Sequence, residues 1–117
     1  MANDLSSLDL DLLTFPLVAE RLGVPLTRVH QMVRDGHLVA VREEGAPPSI
    51  PAALLGDGGP VKGLPGVITL LRDARYSDAE IIDWLFRADD SLPGTAVDAL
   101  QGNRGTEVKR RAQAAGF

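Results

Sequence analysis

The chain is predicted to be mainly α-helical with a small β wing, a winged helix-turn-helix followed by a C-terminal helical subdomain. Three observations predict this. LTRVHQMVRD, Leu26 to Asp35, has a two-faced helical pattern and is closed by Gly36. A second apolar stripe, Val18, Ala19 and Leu22, precedes it and is stopped by Gly23. Beyond GDGGP, at Gly56 to Pro60, apolar residues return at helical spacing in several segments.

The N-terminal stretch reads two ways. Leu8, Leu10 and Leu12 alternate with Asp9 and Asp11 as in a strand, whereas Leu5, Leu8 and Leu12 also share a helical face. A short strand or extended segment beside the wing is favoured. Thr14 is placed to cap the first helix and Pro16 is tolerated in its first turn. A tight GVP turn then leads into the second helix, which small Ala19 lets approach closely.

On that second helix Leu26, Val29, Met32 and Val33 gather on one side, Thr27, Gln31 and Arg34 on the other, and Arg28 and His30 on the flanks. The polar face offers forked and amide side chains suited to base edges and phosphates, and no carboxylate before Asp35. After it, Leu38, Ala40 and Arg42 alternate with Val39 and Val41, and the pattern resumes at Ser49 and Ile50. This predicts a short hairpin, the wing, with Arg42 as its candidate phosphate contact and Glu43 and Glu44 near the tip. Pro51 opens a helical turn through Leu55.

With three glycines and a proline in five residues, 56–60 is the expected hinge between a domain at 1–55 and another at 61–117. In the second half Leu64, Val67, Ile68 and Leu71 predict a helix from Leu64 to Arg75, with Pro65 in its first turn. Ser77 and Glu80 form a capping box for a nearly all-apolar helix carrying Ile81, Ile82, Trp84, Leu85 and Phe86. DDSLPG is a loop. Thr95 caps a helix through Leu100, and Thr106 caps a last one, Glu107 to Ala115.

VAERLGVPLTRVHQMVRDGHLVAVR resembles the winged helix-turn-helix of the excisionase and MerR-like superfamily: an AE-x-LGV helix, a polar recognition helix ending in Asp-Gly, and a strand into the wing. The likeness continues. VKGLPGVITLLRDARYSDAEIIDWLF, with the closing VDAL and EVKRRAQA, is similar to the helical half of a small actinobacterial DNA-binding family known from a mycobacterial member. Glu43 and Glu44 depart from the basic wing usual among such proteins. The resemblance implies double-stranded DNA as partner and a role in transcription regulation.

Composition bounds the alternatives. A chain of 117 residues buries one modest core, so it is one domain or two subdomains sharing it. It has no bilayer-length apolar run and no signal-peptide pattern, so a cytoplasmic protein without a membrane partner is expected. A net charge of −4 argues against indiscriminate coating of nucleic acid, yet the charge is segregated. From Thr14 to Arg42 four arginines face Glu20 and Asp35, and near the C-terminus Arg104, Lys109, Arg110 and Arg111 meet only Glu107.

No cysteine is present, and His30 and His37 lack a third ligand, so neither a zinc site nor a cofactor is expected. GDGGP lacks the Lys and Ser/Thr of a phosphate loop. No nucleophile, base and acid stand at a known spacing, so catalysis is not expected. The expected mechanism places Thr27, Arg28 and Gln31 toward base edges, and Arg34, Arg42 and Lys62 on phosphates, with His30 either partly packed or on a phosphate. The rival is a protein–protein module, an adaptor or antitoxin-like protein. In either case the C-terminal helices are candidates for pairing two copies or holding a partner protein.

Overall fold

Short elements joined by tight turns make up the N-terminal half, and their order is set by where the chain can reverse. The computed structural model describes residues 10–88 and 94–115, in which six helices and one two-stranded antiparallel sheet are found. Strand β1 (Leu12–Thr14) leads directly into α1 (Phe15–Leu22), which turns into α2 (Leu26–Arg34). Strand β2 (Ser49–Pro51) returns to pair with β1, Leu12 opposite Pro51 and Thr14 opposite Ser49. A single 3-10 turn, Ala52–Leu54, ends this half. The rest is helical: α3 (Leu64–Asp73), α4 (Asp78–Phe86), α5 (Ala96–Gln101) and α6 (Gly105–Ala114). The Leu5 and Leu8 pattern and residues 89–93 of the expected DDSLPG loop lie outside the described residues. Among those described, no helix is long and apolar enough to cross a membrane.

The turn between α1 and α2 works because Gly23 adopts φ +69°. The Val24 N–H then reaches back to the Ala19 carbonyl at 3.0 Å, and the Gly23 N–H to that of Glu20 at 3.3 Å. This paired closure satisfies carbonyls that a helix end would otherwise leave open. The same closure ends α2 at Gly36, φ +78°, where the His37 N–H binds the Met32 carbonyl at 2.8 Å. Helix α3 ends identically, but with Arg75 in the left-handed position, φ 70°, and the Tyr76 N–H on the Leu71 carbonyl at 3.0 Å. The helix expected to run to Arg75 therefore stops at Asp73, and no glycine announced the stop.

Helix starts are more varied. Ser77 Oγ accepts from the Glu80 N–H at 3.2 Å while Glu80 Oε1 accepts from the Ser77 N–H at 2.9 Å, the predicted capping box. Thr95 and Asp98 repeat it at 3.1 Å in both directions. Thr14 does stand at the N-cap of α1, yet its hydroxyl makes no capping bond. With Pro16 second in the helix, one of the two N–H groups a cap serves is missing. Helix α6 begins one residue before Thr106, with Arg104 at the cap position and no side-chain cap.

A single cluster of buried side chains runs through both halves, from Phe15 and Val18 to Val108 and Ala112. Its middle is the segment after α2. Leu38, Val39, Ala40 and Val41 are all buried, so both sides of the alternation are covered, and the hairpin strand expected here is reduced to a single bridge at Val41. Only Val41 touches the sheet, exchanging hydrogen bonds with Ser49 at 2.7 and 3.1 Å. An uninterrupted apolar run is what a doubly covered segment requires. The GDGGP stretch is folded back on itself, with the Gly56 N–H on the Gly59 carbonyl at 2.7 Å and the Val61 N–H on that of Leu54 at 2.9 Å.

Two stability predictions follow from the helix ends. Arg75→Gly removes the cost of a side chain at positive φ and is expected to raise stability by about 1 kcal/mol in urea unfolding. The Glu80 carboxyl is held below its ordinary value of 4.5, first by the Ser77 backbone N–H and then by its hydroxyl. A depressed carboxyl contributes stability that is present above its unfolded value and lost as pH falls through the folded one. The Tm difference between the wild type and Glu80→Ala is therefore expected to be full at neutral pH and to shrink below pH 4.5.

Candidate nucleic-acid interface

Helix α2 divides its residues sharply. Val29, Met32 and Val33 are buried, with Val29 at 0% exposure, which pins the helix to the core by about 1.5–3 kcal/mol for each large side chain. Thr27, Arg28, Gln31 and Arg34 are exposed together on the other side, as the sequence predicts. Leu26 does not join the packing face. It is 42% exposed, because as the first residue of the helix it lies beyond the reach of the core.

The exposed side chains are loosely held. Arg28 Nη1 reaches Gln31 Oε1 at 3.5 Å, and Arg34 Nε lies 3.8 Å from Asp35 Oδ1 with both side chains more than half exposed. Exposed pairs of this length contribute about 0–1 kcal/mol, so both arginines exchange partners easily. Helix α2 starts after Pro25 with no side-chain cap and no acidic residue in its first turn. The positive end of its dipole is thus left uncompensated, a favourable place for a phosphate.

Beside this face lies an open basin. His30, Arg34 and Arg42 line it from the N-terminal half, Arg72 and Asp78 from α3 and α4, and Phe15 and Val33 form its apolar floor. His30 is held there edge-on against Phe15, ring centroids 4.9 Å apart at 72°. His30 is thus packed on one side while still exposed, so both of its expected roles are compatible with its place. The structure gathers three of the expected residues in one basin, with Thr27, Arg28 and Gln31 on the helix face beside it. Lys62 stands apart. It lines a separate groove with Asp57, Gln101 and Asn103.

Arg72 was missed by sequence reasoning, because its approach to α2 is a long-range packing event that helical periodicity does not encode. Its Nη2 lies 3.3 Å from Asp78 Oδ1, and its Nη1 would sit 3.0 Å from a methyl group placed on Gly36. The wing, meanwhile, presents Glu43 and Glu44 to solvent, in a turn closed by the Ala46 N–H on the Glu43 carbonyl at 3.2 Å.

Two helices locked at a fixed angle by a glycine turn, a small antiparallel sheet against them and a polar second helix facing outward define a winged helix-turn-helix protein, here with a helical half attached. Residues 1–55 match the winged helix-turn-helix domain of DNA-binding protein Rv2175c, and residues 61–116 match the Rv2175c C-terminal domain of unknown function. The chain belongs to the Rv2175c family. The DNA-binding protein Rv2175c of Mycobacterium tuberculosis (strain ATCC 25618 / H37Rv) is 44% identical over 114 residues, covering 87% of this chain and 78% of the relative. The NMR structure of Rv2175c superposes with a TM-score of 0.84 at 41% identity, over 98% of this chain and 87% of that one. The finer likeness to excisionases and MerR-like proteins rests on the helix-turn-helix motif alone.

The ring contact separates packing from surface chemistry on α2. His30→Ala is expected to lower stability by about 0.5–1.5 kcal/mol through the lost edge contact. Gln31→Ala, exposed on the same helix, is expected to stay within about 0.5 kcal/mol of wild type. Urea unfolding of the two variants measures both.

Proposed function

We propose that the chain is a sequence-specific double-stranded DNA-binding protein that acts as a transcriptional regulator, with α2 in the major groove. The observation that carries this reading is the exposed face of Thr27, Arg28 and Gln31 on a helix whose opposite side is sealed into the core. A helix fits the major groove only if one side is free, and arginine and glutamine are the side chains whose forks match guanine and adenine edges. Arg34 and Arg42 hold phosphates from the basin and fix the register, and His30 contributes from the same wall. The glutamates of the wing tip keep that loop off the backbone, so Arg42, before the turn, is the wing's contact. Membership of a family whose mycobacterial member is a DNA-binding protein supports the same reading.

One recognition helix covers only a few base pairs, so a second copy paired through the C-terminal helices is the arrangement that supplies a second half-site. The proposed role is binding, not catalysis. Fluorescence anisotropy on short genomic duplexes, across a salt series, tests it. Binding is expected to weaken steeply with salt, and Arg28→Ala is expected to lose about 1–3 kcal/mol on preferred duplexes. Absence of binding at low salt, or indifference to Arg28, would overturn the recognition-helix mechanism.

A further inference from the structure

The helical half meets the proposed DNA face near the end of α2. There Arg72, the penultimate residue of α3, extends past Ile68 toward the Gly36 turn and into the basin that also holds Arg34 and Arg42. Three guanidinium groups on the walls of one open basin repel one another, and in a chain of net charge −4 such a convergence is not a by-product of basic composition. Among the described residues that line the basin Asp78 is the one acid, and Asp35 stands 3.8 Å from Arg34. Asp78 engages Arg72 through Nη2 at 3.3 Å, with the Arg72 and Asp78 side chains 34% and 42% exposed. A partly exposed, single-point pair of this kind is weak, whereas a guanidinium can meet a phosphate through two parallel N–H donors, so the phosphate is the stronger partner. His30, against Phe15, adds a fourth nitrogen-bearing wall.

We infer that Arg72 is a DNA phosphate contact, acting with Arg34 and Arg42 as a three-arginine seat for the backbone beside the end of α2. The helical half thereby takes a direct part in the interface. Asp78 holds the Arg72 side chain in the basin when DNA is absent and gives way to the phosphate when it binds. The inference rests on the reading of α2 as the DNA-contacting helix, and its ligand is the diester backbone, read without regard to base sequence.

Anisotropy titrations of the full chain on short mixed-sequence genomic duplexes, over a salt series, separate the possibilities. Arg72→Ala is expected to weaken binding several-fold and equally across sequences, and to reduce the slope of log affinity against log salt by about one. Asp78→Asn, which removes the competing carboxylate, is expected to bind as well as wild type or better. If Arg72 were only a latch between α3 and α4, Asp78→Asn would weaken binding as Arg72→Ala does, and that result overturns the inference. So does an unchanged salt slope in Arg72→Ala. Arg72→Gln, which keeps most of the packing, replaces Arg72→Ala if thermal melts show that the latter is unfolded. Arg28→Ala in the same series keeps the two readings distinguishable. Loss with Arg28→Ala but not with the Arg72 variants removes this inference alone, whereas indifference to both removes the DNA-contacting role of α2 as well.

Discussion

The left-handed turn at Gly36 is the constraint on which the working surface depends. With φ at +78° the chain leaves α2 at once and drops into the buried run Leu38 to Val41, so the helix is anchored at its end as well as along its inner face. A residue with a Cβ at this position would be strained by its φ and would also meet the Arg72 guanidinium at 3.0 Å and Ile68 at 3.8 Å. One glycine thus ends the helix and admits α3 against it. Without that close approach the helical half would have no purchase on the end of α2, and the basin would lose one wall.

Gly23 plays the matching part at the other end of the motif, where a methyl group would meet nothing within 4 Å. Conformation alone selects glycine there, whereas at Gly36 conformation and space select it together. The difference matters for how the two turns tolerate change. The α1–α2 angle depends on a local backbone preference, while the junction of the two halves depends on a packed long-range contact. Because the core is one continuous cluster, movement at that junction is felt by Val29 and Met32 and through them by the exposed face of α2.

Much of this was legible in the sequence. The polar face of α2, the glycine stops at Gly23 and Gly36 and the Ser77–Glu80 box are local patterns that the structure matches, whereas Thr14 and Thr106, equally local cap candidates, make no capping bond. Leu26 was misplaced because a helical wheel carries no information on where along the axis the core ends. Arg75 takes a positive φ, 70°, at the end of α3, where the sequence offers no glycine, so that helix could not be bounded from residue type. The run Leu38 to Val41 reads as a hairpin strand from its alternation, whereas only Val41 bridges to Ser49, and Arg72 escaped notice because its approach to the Gly36 turn is a contact between residues far apart in the chain.

Charge shows most clearly what sequence counting misses. Two basic clusters stand in the sequence with similar counts, but the structure treats them differently. At the start of α6 Glu107 accepts from Arg104 at 2.6 Å and from Arg111 at 3.1 Å, and these two contacts, Arg104 first, hold its carboxyl below the ordinary range. Two of the four C-terminal bases are thereby committed to one acid on their own helix, leaving Lys109 and Arg110 outward. Around α2, by contrast, Arg28 and Arg42 enter no ion pair among the described residues, and Arg34 has only a distant one. A phosphate competes poorly for an arginine already neutralised at short range and well for one whose partner is solvent. The pairing of charges, more than their number, therefore sets the N-terminal half as the face for a polyanion, and leaves the C-terminal half its share through Arg72.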